Sequence, residues 1–360
     1  MVTYPRVKVA AAHLAPVFLN AARSIDKACS AIAESARAGA QLIAFPESFI
    51  PGFPVWVALQ APIFGHDLFR TLAANALGID GPEITQLQEA ARRHRVLVSM
   101  GFTESTVTSV GCIWNSNVLI GSDGRILNHH RKIIPTFYEK LIWANGDGHG
   151  LRVADTRIGR IGMLICGENT NPLARFALMA QGEQIHIASY PPVWPTRPTS
   201  DGNYDLEQAI RIRAGAHSFE AKVFTVVASG VLDGTVREAL SRLPQGALKL
   251  LEETPPAVSM IVGPTGVPIS TVLREDEGLV YADIDIAECV EPKQFHDVVG
   301  QYNRFDIFTL HVNRERTVAV TFRDGDERIA EDGAHFGVAC DAETSACKAH
   351  AESMTLPRAP

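Results

Sequence analysis

The sequence is short of basic charge, of paired cysteines and of long apolar runs. Its 360 residues hold 33 Lys and Arg against 40 Asp and Glu, a formal net charge of −7. Binding to nucleic acid needs a basic footprint, and no basic cluster with interleaved aromatics occurs, so no nucleic-acid partner is expected. No apolar run is long enough to span a bilayer, so no membrane partner is expected. The opening Met1-Val2-Thr3-Tyr4-Pro5 leads almost at once into a strand, which does not read as a signal peptide. The cysteines Cys29, Cys112, Cys166, Cys289, Cys340 and Cys347 are scattered, with no C-x-x-C pair. That pattern suits a reduced, cytoplasmic protein rather than a disulfide framework or a zinc site. His129 and His130 are adjacent, so on a strand they face opposite ways and cannot share a metal. A P-loop and a strand-linked G-x-G-x-x-G are missing too, and Gly146-Asp147-Gly148-His149-Gly150 reads as a turn. No metal and no cofactor are expected.

What is present is ordinary for a sizeable core: 46% hydrophobic and 20% charged residues. Val7 to Ala12 reads as a first strand, and Ala21 to Ala38 as an alanine-rich helix closed by Gly39. A short strand, Leu42 to Phe45, runs into a long loop from Phe49 to about Asp67. Loops of that length in a compact domain are often functional. Glu83 to His94 reads as a helix and Val96 to Phe102 as a strand. Ile113 to Ile120 and Arg125 to His130 form a hairpin over Gly121-Ser122-Asp123-Gly124. A second long loop, Ile133 to Gly150, precedes a strand at Leu151 to Ala154. Further on come strands at Gln184 to Ser189 and Val223 to Ala228, with a helix at Leu206 to Ala221 between them. Ser229 to Pro256 is irregular or helical. Met260 to Val262 and Ile269 to Val272 read as a hairpin, and Leu279 to Ile284 as a late strand. The order suggests an α/β fold of two similar halves, each a mixed sheet with a pair of helices on one face. From Arg323 the chain turns polar and aperiodic, so residues 323–360 are read as a tail, disordered or used at a subunit contact, beside a domain of residues 1–322.

The informative stretch is Ile161 to Pro172. Ile161 to Ile165 reads as a strand buried on both faces, ending on Cys166. Asn171 is a suitable N-cap, and Pro172 stands at the first helical position. Cys166 therefore lies at the carboxyl end of a strand, just before a helix N-terminus, where open α/β sheets bind ligands. A lone free cysteine is usually a buried structural residue. A base, a cation and a pocket must converge on it before it reads as reactive.

Two other polar residues stand at strand ends: Glu47 and Lys132. Neither is telling alone. Together with Cys166 they sit in three segments, Phe45-Pro46-Glu47-Ser48-Phe49-Ile50-Pro51-Gly52, His130-Arg131-Lys132-Ile133-Ile134-Pro135-Thr136 and Leu164-Ile165-Cys166-Gly167-Glu168-Asn169. These resemble the three ordered signatures of the nitrilase, or carbon–nitrogen hydrolase, superfamily. Pro135-Thr136-Phe137-Tyr138-Glu139, Trp143 to Gly148 and Val299 to Asp306 further resemble the nitrilase branch.

The resemblance implies a four-layer α-β-β-α sandwich of two mixed sheets, with a polar C-terminal tail. It implies Glu47, Lys132 and Cys166 as catalytic residues, with no cofactor. Glu139 resembles a second glutamate that holds Lys132 and positions substrate. Gly167 stands where most nitrilases carry tryptophan; it is expected to leave open space and to offer its backbone N–H as an oxyanion donor. Phe53, Trp56, Thr136, Tyr138, Tyr190 and Trp194 flank the three residues as candidate pocket walls. Glu168 reads as structural. The implied reaction is hydrolysis of a small organic nitrile by water, to acid and ammonia, through a cysteine thioimidate and thioester. An amidase or N-carbamoyl hydrolase with the same triad is the alternative, and a non-catalytic binding protein of the same fold a third. A homo-oligomer, a dimer or larger spiral, is implied as well.

Overall fold

A computed structural model describes residues 4–197, 199–318, 320–321 and 328–329. Two sheets form the centre. The first has the order β11-β1-β2-β3-β4-β5: β1 Arg6–His13, β2 Leu42–Ala44, β3 Leu97–Ser105, β4 Ile113–Ile120, β5 Ile126–Arg131 and β11 Gly278–Asp285. The second has the order β10-β9-β8-β7-β6: β6 Ala154–Thr156, β7 Gly159–Ile165, β8 Ile185–Tyr190, β9 Phe224–Ser229 and β10 Met260–Val262. Each sheet is mixed. β1, β2 and β3 run parallel, as do β7, β8 and β9, and the outer pairings are antiparallel.

The alternation of side chains along the strands builds the layers. On β1, Val7, Val9 and Ala11 face the second sheet and pack with Ile161, Met163, Ile187 and Val226. Ala10 and Ala12 face outward and pack under helices α1 (Ala21–Arg37) and α3 (Pro82–His94). On the far side, Leu164 meets α4 (Pro172–Met179), while Ala188, Val227 and Met260 meet α5 (Leu206–Ala221). The result is the expected α-β-β-α sandwich. Asn20 caps α1, Asn171 caps α4 and Asp205 caps α5, each side chain accepting from backbone N–H groups of its first turn.

Several local expectations are corrected. The two halves are not closed units: β11, from the second half, crosses back and pairs antiparallel with β1 over its whole length. The Phe49–Asp67 loop contains 3-10 turns at Val55–Ala58 and Pro62–Phe64, and leads into a helix, α2 (His66–Ala74). Its proline spacing hid them. Ser229 to Pro256, read as irregular or helical, holds two helices, α6 (Gly234–Ala239) and α7 (Gln245–Glu253). Ile269 to Val272 is not a strand: Pro268 and Leu273 make isolated bridges, and Ile269 is 45% exposed, so its apolar alternation points at solvent. Leu151 to Val153 is loop, because Leu151 N–H turns back to the Gly148 carbonyl and the strand begins only at Ala154. A last helix, α8 (Val290–Phe295), precedes an extended segment. There Arg316 reaches His129 at 3.0 Å, and Thr317 N–H donates to Asp147. Of the tail beginning at Arg323, only Arg328–Ile329 is described, paired with Val320–Thr321; the rest of that reading, and the 322/323 boundary, lies outside the described residues.

Candidate active site

β2, β5 and β7 end on the same side of the sandwich, and Glu47, Lys132 and Cys166 follow them. Three non-glycine residues here lie in the left-handed region: Ser48 beside Glu47 at φ 47°, Phe137 at φ 50° in the turn that carries Glu139, and Cys166 itself at φ 47°. Such residues are uncommon, and the surrounding structure must hold them there. Ser48 is held by its hydroxyl, which meets Thr103 Oγ1 at 2.9 Å and donates to the Gly52 carbonyl. Cys166 opens a 3-10 turn, Cys166–Thr170, whose Glu168 accepts from Ile165 N–H at 2.8 Å and Ile133 N–H at 2.6 Å, with His130 Nε2 at 2.8 Å. Glu168 thus stitches the second and third segments together, the structural part expected of it.

Lys132 is fully buried and lies between two carboxylates. Its Nζ donates to Glu47 Oε1 at 2.7 Å and to Glu139 Oε2 at 2.6 Å. Asn115 Nδ2, on β4, donates to the same Glu47 oxygen at 2.7 Å. The Cys166 sulfur and one oxygen each of Glu47 and Glu139 lie within 4.8 Å of one another. A cation would have to displace the Lys132 ammonium from between those carboxylates, so the cluster does not suit a metal ion. Glu47 Oε2 and Glu139 Oε1 have no hydrogen-bond partner among the described residues. The first is a free lone pair for a base; the second is free for a donor on a ligand.

A lysine ammonium and a helix N-terminus both favour thiolate. Here burial, and then the Glu47 carboxylate, outweigh them and push the Cys166 thiol well above its ordinary value, with Glu139 adding to this; Lys132 and Arg213 only partly oppose it. Cys166 is thus held as a thiol, and a base must remove its proton before its sulfur can act as a nucleophile. Lys132 is held cationic: burial alone would lower it, but Glu139 and Glu47 more than compensate. Burial raises Glu139 to about 7 against the opposing pull of Lys132.

Gly167 is also corrected. A Cβ there would come 2.6 Å from Thr136 Oγ1, so the space is taken, not open. Thr136 precedes the 3-10 turn Phe137–Leu141; its carbonyl accepts from Glu139 N–H at 3.0 Å, and Glu139 Oε2 accepts from its N–H at 2.7 Å. The missing side chain at 167 leaves Thr136 its place, from which its backbone N–H holds the Glu139 carboxylate that meets Lys132.

The aromatic candidates divide. Tyr138 stacks on Trp194 at 4.4 Å, and Phe53 packs edge-on to Trp143 at 5.6 Å and lies 6.1 Å from Trp194. Burial raises the Tyr138 and Tyr190 hydroxyls, with Glu139 and Glu47 adding to this at Tyr138 and Glu47 at Tyr190. Both hydroxyls are buried without a partner among the described residues. Trp56 does not join them: it packs on Phe18 at 5.9 Å and lines another cavity, of about 250 Å³, with His66 and Phe69. Outside Tyr138, a cavity of about 550 Å³ opens between Leu59, Phe137, Pro195 and Leu250. Sequence reasoning missed Asn115, Trp143 as a wall, Arg213 and Asn169. A buried asparagine within the apolar strand Ile113–Ile120 was the available signal for the first.

The profile of the carbon–nitrogen hydrolase family matches residues 8–294. The chain belongs to that family. It is 37% identical over 319 residues to an arylacetonitrilase of Hypocrea virens, covering 86% of this chain and 92% of the relative. It is 36% identical to a nitrilase of Paraburkholderia phymatum, covering 85% and 86%. A solved carbon–nitrogen hydrolase from Helicobacter pylori superposes with a TM-score of 0.65 at 17% identity, over 84% of this chain and 97% of the other. A nitrilase-superfamily protein of Saccharomyces cerevisiae gives 0.64 at 17% identity, over 83% and 97%. These two likenesses concern the fold. This carbon–nitrogen hydrolase is a hydrolase of carbon–nitrogen bonds other than peptide bonds. No helix among its described residues is long and apolar enough to cross a membrane.

Proposed function

We propose that the protein is a nitrilase that converts a small organic nitrile and two waters to the carboxylic acid and ammonia. The observation that carries this is the buried Glu47–Lys132–Glu139 cluster closed around the Cys166 thiol. Nitrilases and arylacetonitrilases at 33–37% identity over most of the chain support this branch over the amidase and N-carbamoyl alternatives. The intact cluster argues against a non-catalytic protein.

Glu47 takes the thiol proton as Cys166 sulfur attacks the nitrile carbon. Charge develops on the nitrile nitrogen, which Lys132 and the Gly167 N–H stabilise before the nitrogen is protonated. The thioimidate then adds water, with Glu47 as base. The carbon–nitrogen bond breaks, ammonia leaves and a thioester remains. A second water releases the acid and restores the thiol. If the carbon–sulfur bond breaks before the carbon–nitrogen bond, an amide is released instead. Glu139 holds Lys132 in line.

Phe53, Tyr138, Trp143 and Trp194 give the site an aromatic wall, which favours an arylaliphatic nitrile. Free thiols at Cys29, Cys166 and Cys289 support a cytoplasmic setting. Exposed Leu173 on α4, with Ile212 and Phe219 one heptad apart on α5, supports a homo-oligomer, a dimer or larger spiral, through this face. The activity test is ammonia release from a panel of aliphatic and arylaliphatic nitriles. Turnover of simple amides with no ammonia or amide from any nitrile would refute the branch.

A further inference from the structure

A second buried polar group lies behind the site, outside the triad. Glu183 precedes β8, His186 is on β8 and His217 is on α5; all three are at most 2% exposed. Glu183 Oε1 is 2.7 Å from His186 Nδ1, and Oε2 is 2.7 Å from His217 Nε2. The two rings stack at 3.7 Å. His186 Nε2 is 2.8 Å from Asn169 Oδ1. The Asn169 amide nitrogen donates to the Cys166 carbonyl at 3.1 Å and to the Leu164 carbonyl at 3.4 Å.

The amide orientation follows from its partners: two carbonyl oxygens require the NH2 group, so the amide oxygen must face His186. His186 then meets an acceptor at each ring nitrogen. A neutral imidazole has one N–H and would leave one of the two contacts repulsive. We propose that Glu183, His186 and Asn169 form a charged brace behind the nucleophile, with His186 a standing imidazolium that holds Asn169 against the Cys166 carbonyl. This rests on the reading of Cys166 as nucleophile. In these terms Glu183, His186 and Asn169 are positioning residues.

The other groups around His186 agree. Glu183 is held as a carboxylate, at about 2, by the two histidines against the cost of burial. His217 is kept neutral, at about 4, by burial and then by the charge on His186, with Arg175 of α4 adding to this. Arg175 is itself paired with Glu220 at 2.8 Å. His217 donates through Nε2, and its Nδ1 has no partner among the described residues, as a neutral ring permits. Each carboxylate oxygen already receives an imidazole N–H, so the three residues do not present a set of lone pairs to a metal ion. β7 makes room for the brace: a Cβ at Gly162, four residues before Cys166, would collide with the Glu183 carboxylate. The brace explains how a non-glycine residue is kept at φ 47° where the chain must turn sharply after β7.

The test is made on the full-length enzyme. Histidine-selective 15N NMR at pH 8 should show one imidazole protonated at both nitrogens, absent in His186→Ala. Asn169→Asp keeps the acceptor for His186 but removes the donor to Cys166. In His186→Ala and in Asn169→Asp, kcat should fall about 10- to 100-fold, the range seen when outer partners of a reacting group are removed. KM should be little changed, and alkylation of Cys166 by iodoacetamide should change with kcat. A neutral His186 at pH 8 overturns the proposal. So do variants with a lower melting temperature but wild-type kcat and wild-type Cys166 alkylation. If His186→Ala does not fold, the NMR state and Asn169→Asp decide. Full activity in Cys166→Ala would instead remove the nucleophile, leaving the His186 signal unchanged.

Discussion

At the scale of the residue, the site works by opposing burial against charge. Cys166, Glu47, Lys132 and Glu139 are each at most 4% exposed, so no ion there is screened by water. Lys132→Ala leaves two buried carboxylates facing each other without their cation. It should lower kcat/KM on the order of 10³-fold, as losing a main electrostatic contact does, by steady-state ammonia assay. Because Glu139 is raised to about 7, the wild-type rate should fall as pH drops through that value. Protonation there removes a negative partner of Lys132. Glu139→Gln should lose this limb of the pH profile while keeping part of the activity. Gly167→Ala must displace the Thr136 side chain, which shifts the Thr136 N–H that holds Glu139. Its kcat should fall about 10-fold with little change in melting temperature, by parallel kinetics and thermal unfolding. The convergence of Glu47, Lys132 and Cys166 was legible in the sequence because each sits inside a distinctive run of neighbours. Asn115 and Asn169 were not, because their partners are 68 and 17 residues away and only the sheet brings them together.

At the scale of the element, turns carry the function and strands set their positions. The buried strands and the Leu206–Ala221 helix were readable from apolar periodicity. The Phe49–Asp67 region was not, since prolines break the period while still permitting 3-10 turns. The second half's late strand could be located but not placed: pairing of β11 with β1 is decided by packing between the halves, which leaves no local mark. Buried acids tie the elements together. Glu168 joins the turns after β5 and β7, and Glu183 joins β8 to α5. Burial alone would raise both, but their histidine partners hold them below 4.5, Glu183 at about 2. A depressed carboxylate contributes stability above 4.5 that is lost as pH falls through the folded value. His217, lowered to about 4, is neutral when folded and takes a proton when unfolded, so it also costs stability below 6.5. Between 6.5 and 4.5 the raised Glu139, which takes up a proton on folding, offsets this loss, so unfolding free energy from urea titrations should decline steeply only below 4.5. A stability that rises as pH falls below 4.5 would contradict these assignments.

At the scale of the whole molecule, the sandwich leaves apolar side chains in water. Leu173 and Ile212 are each 62% exposed, on helices linked by the Arg175–Glu220 ion pair. An exposed apolar face on an otherwise acidic protein is the place for a second copy. Wild-type protein should sediment as a dimer or larger, and Ile212→Glu should sediment as a smaller species. Only monomer in the wild type would refute the assembly. The sandwich itself was legible through resemblance; the exposed apolar face was not, because exposure appears only once the helices are packed.

The covalent role of Cys166 is the centre of the account, and acid-quenched intact-mass and peptide mass spectrometry during turnover of an arylaliphatic nitrile tests it most directly. The account predicts an acyl or imidoyl adduct on the peptide bearing Cys166, with Cys166→Ala reduced on the order of 10⁴-fold or more. Steady turnover with no adduct, and activity retained in Cys166→Ala, would contradict it.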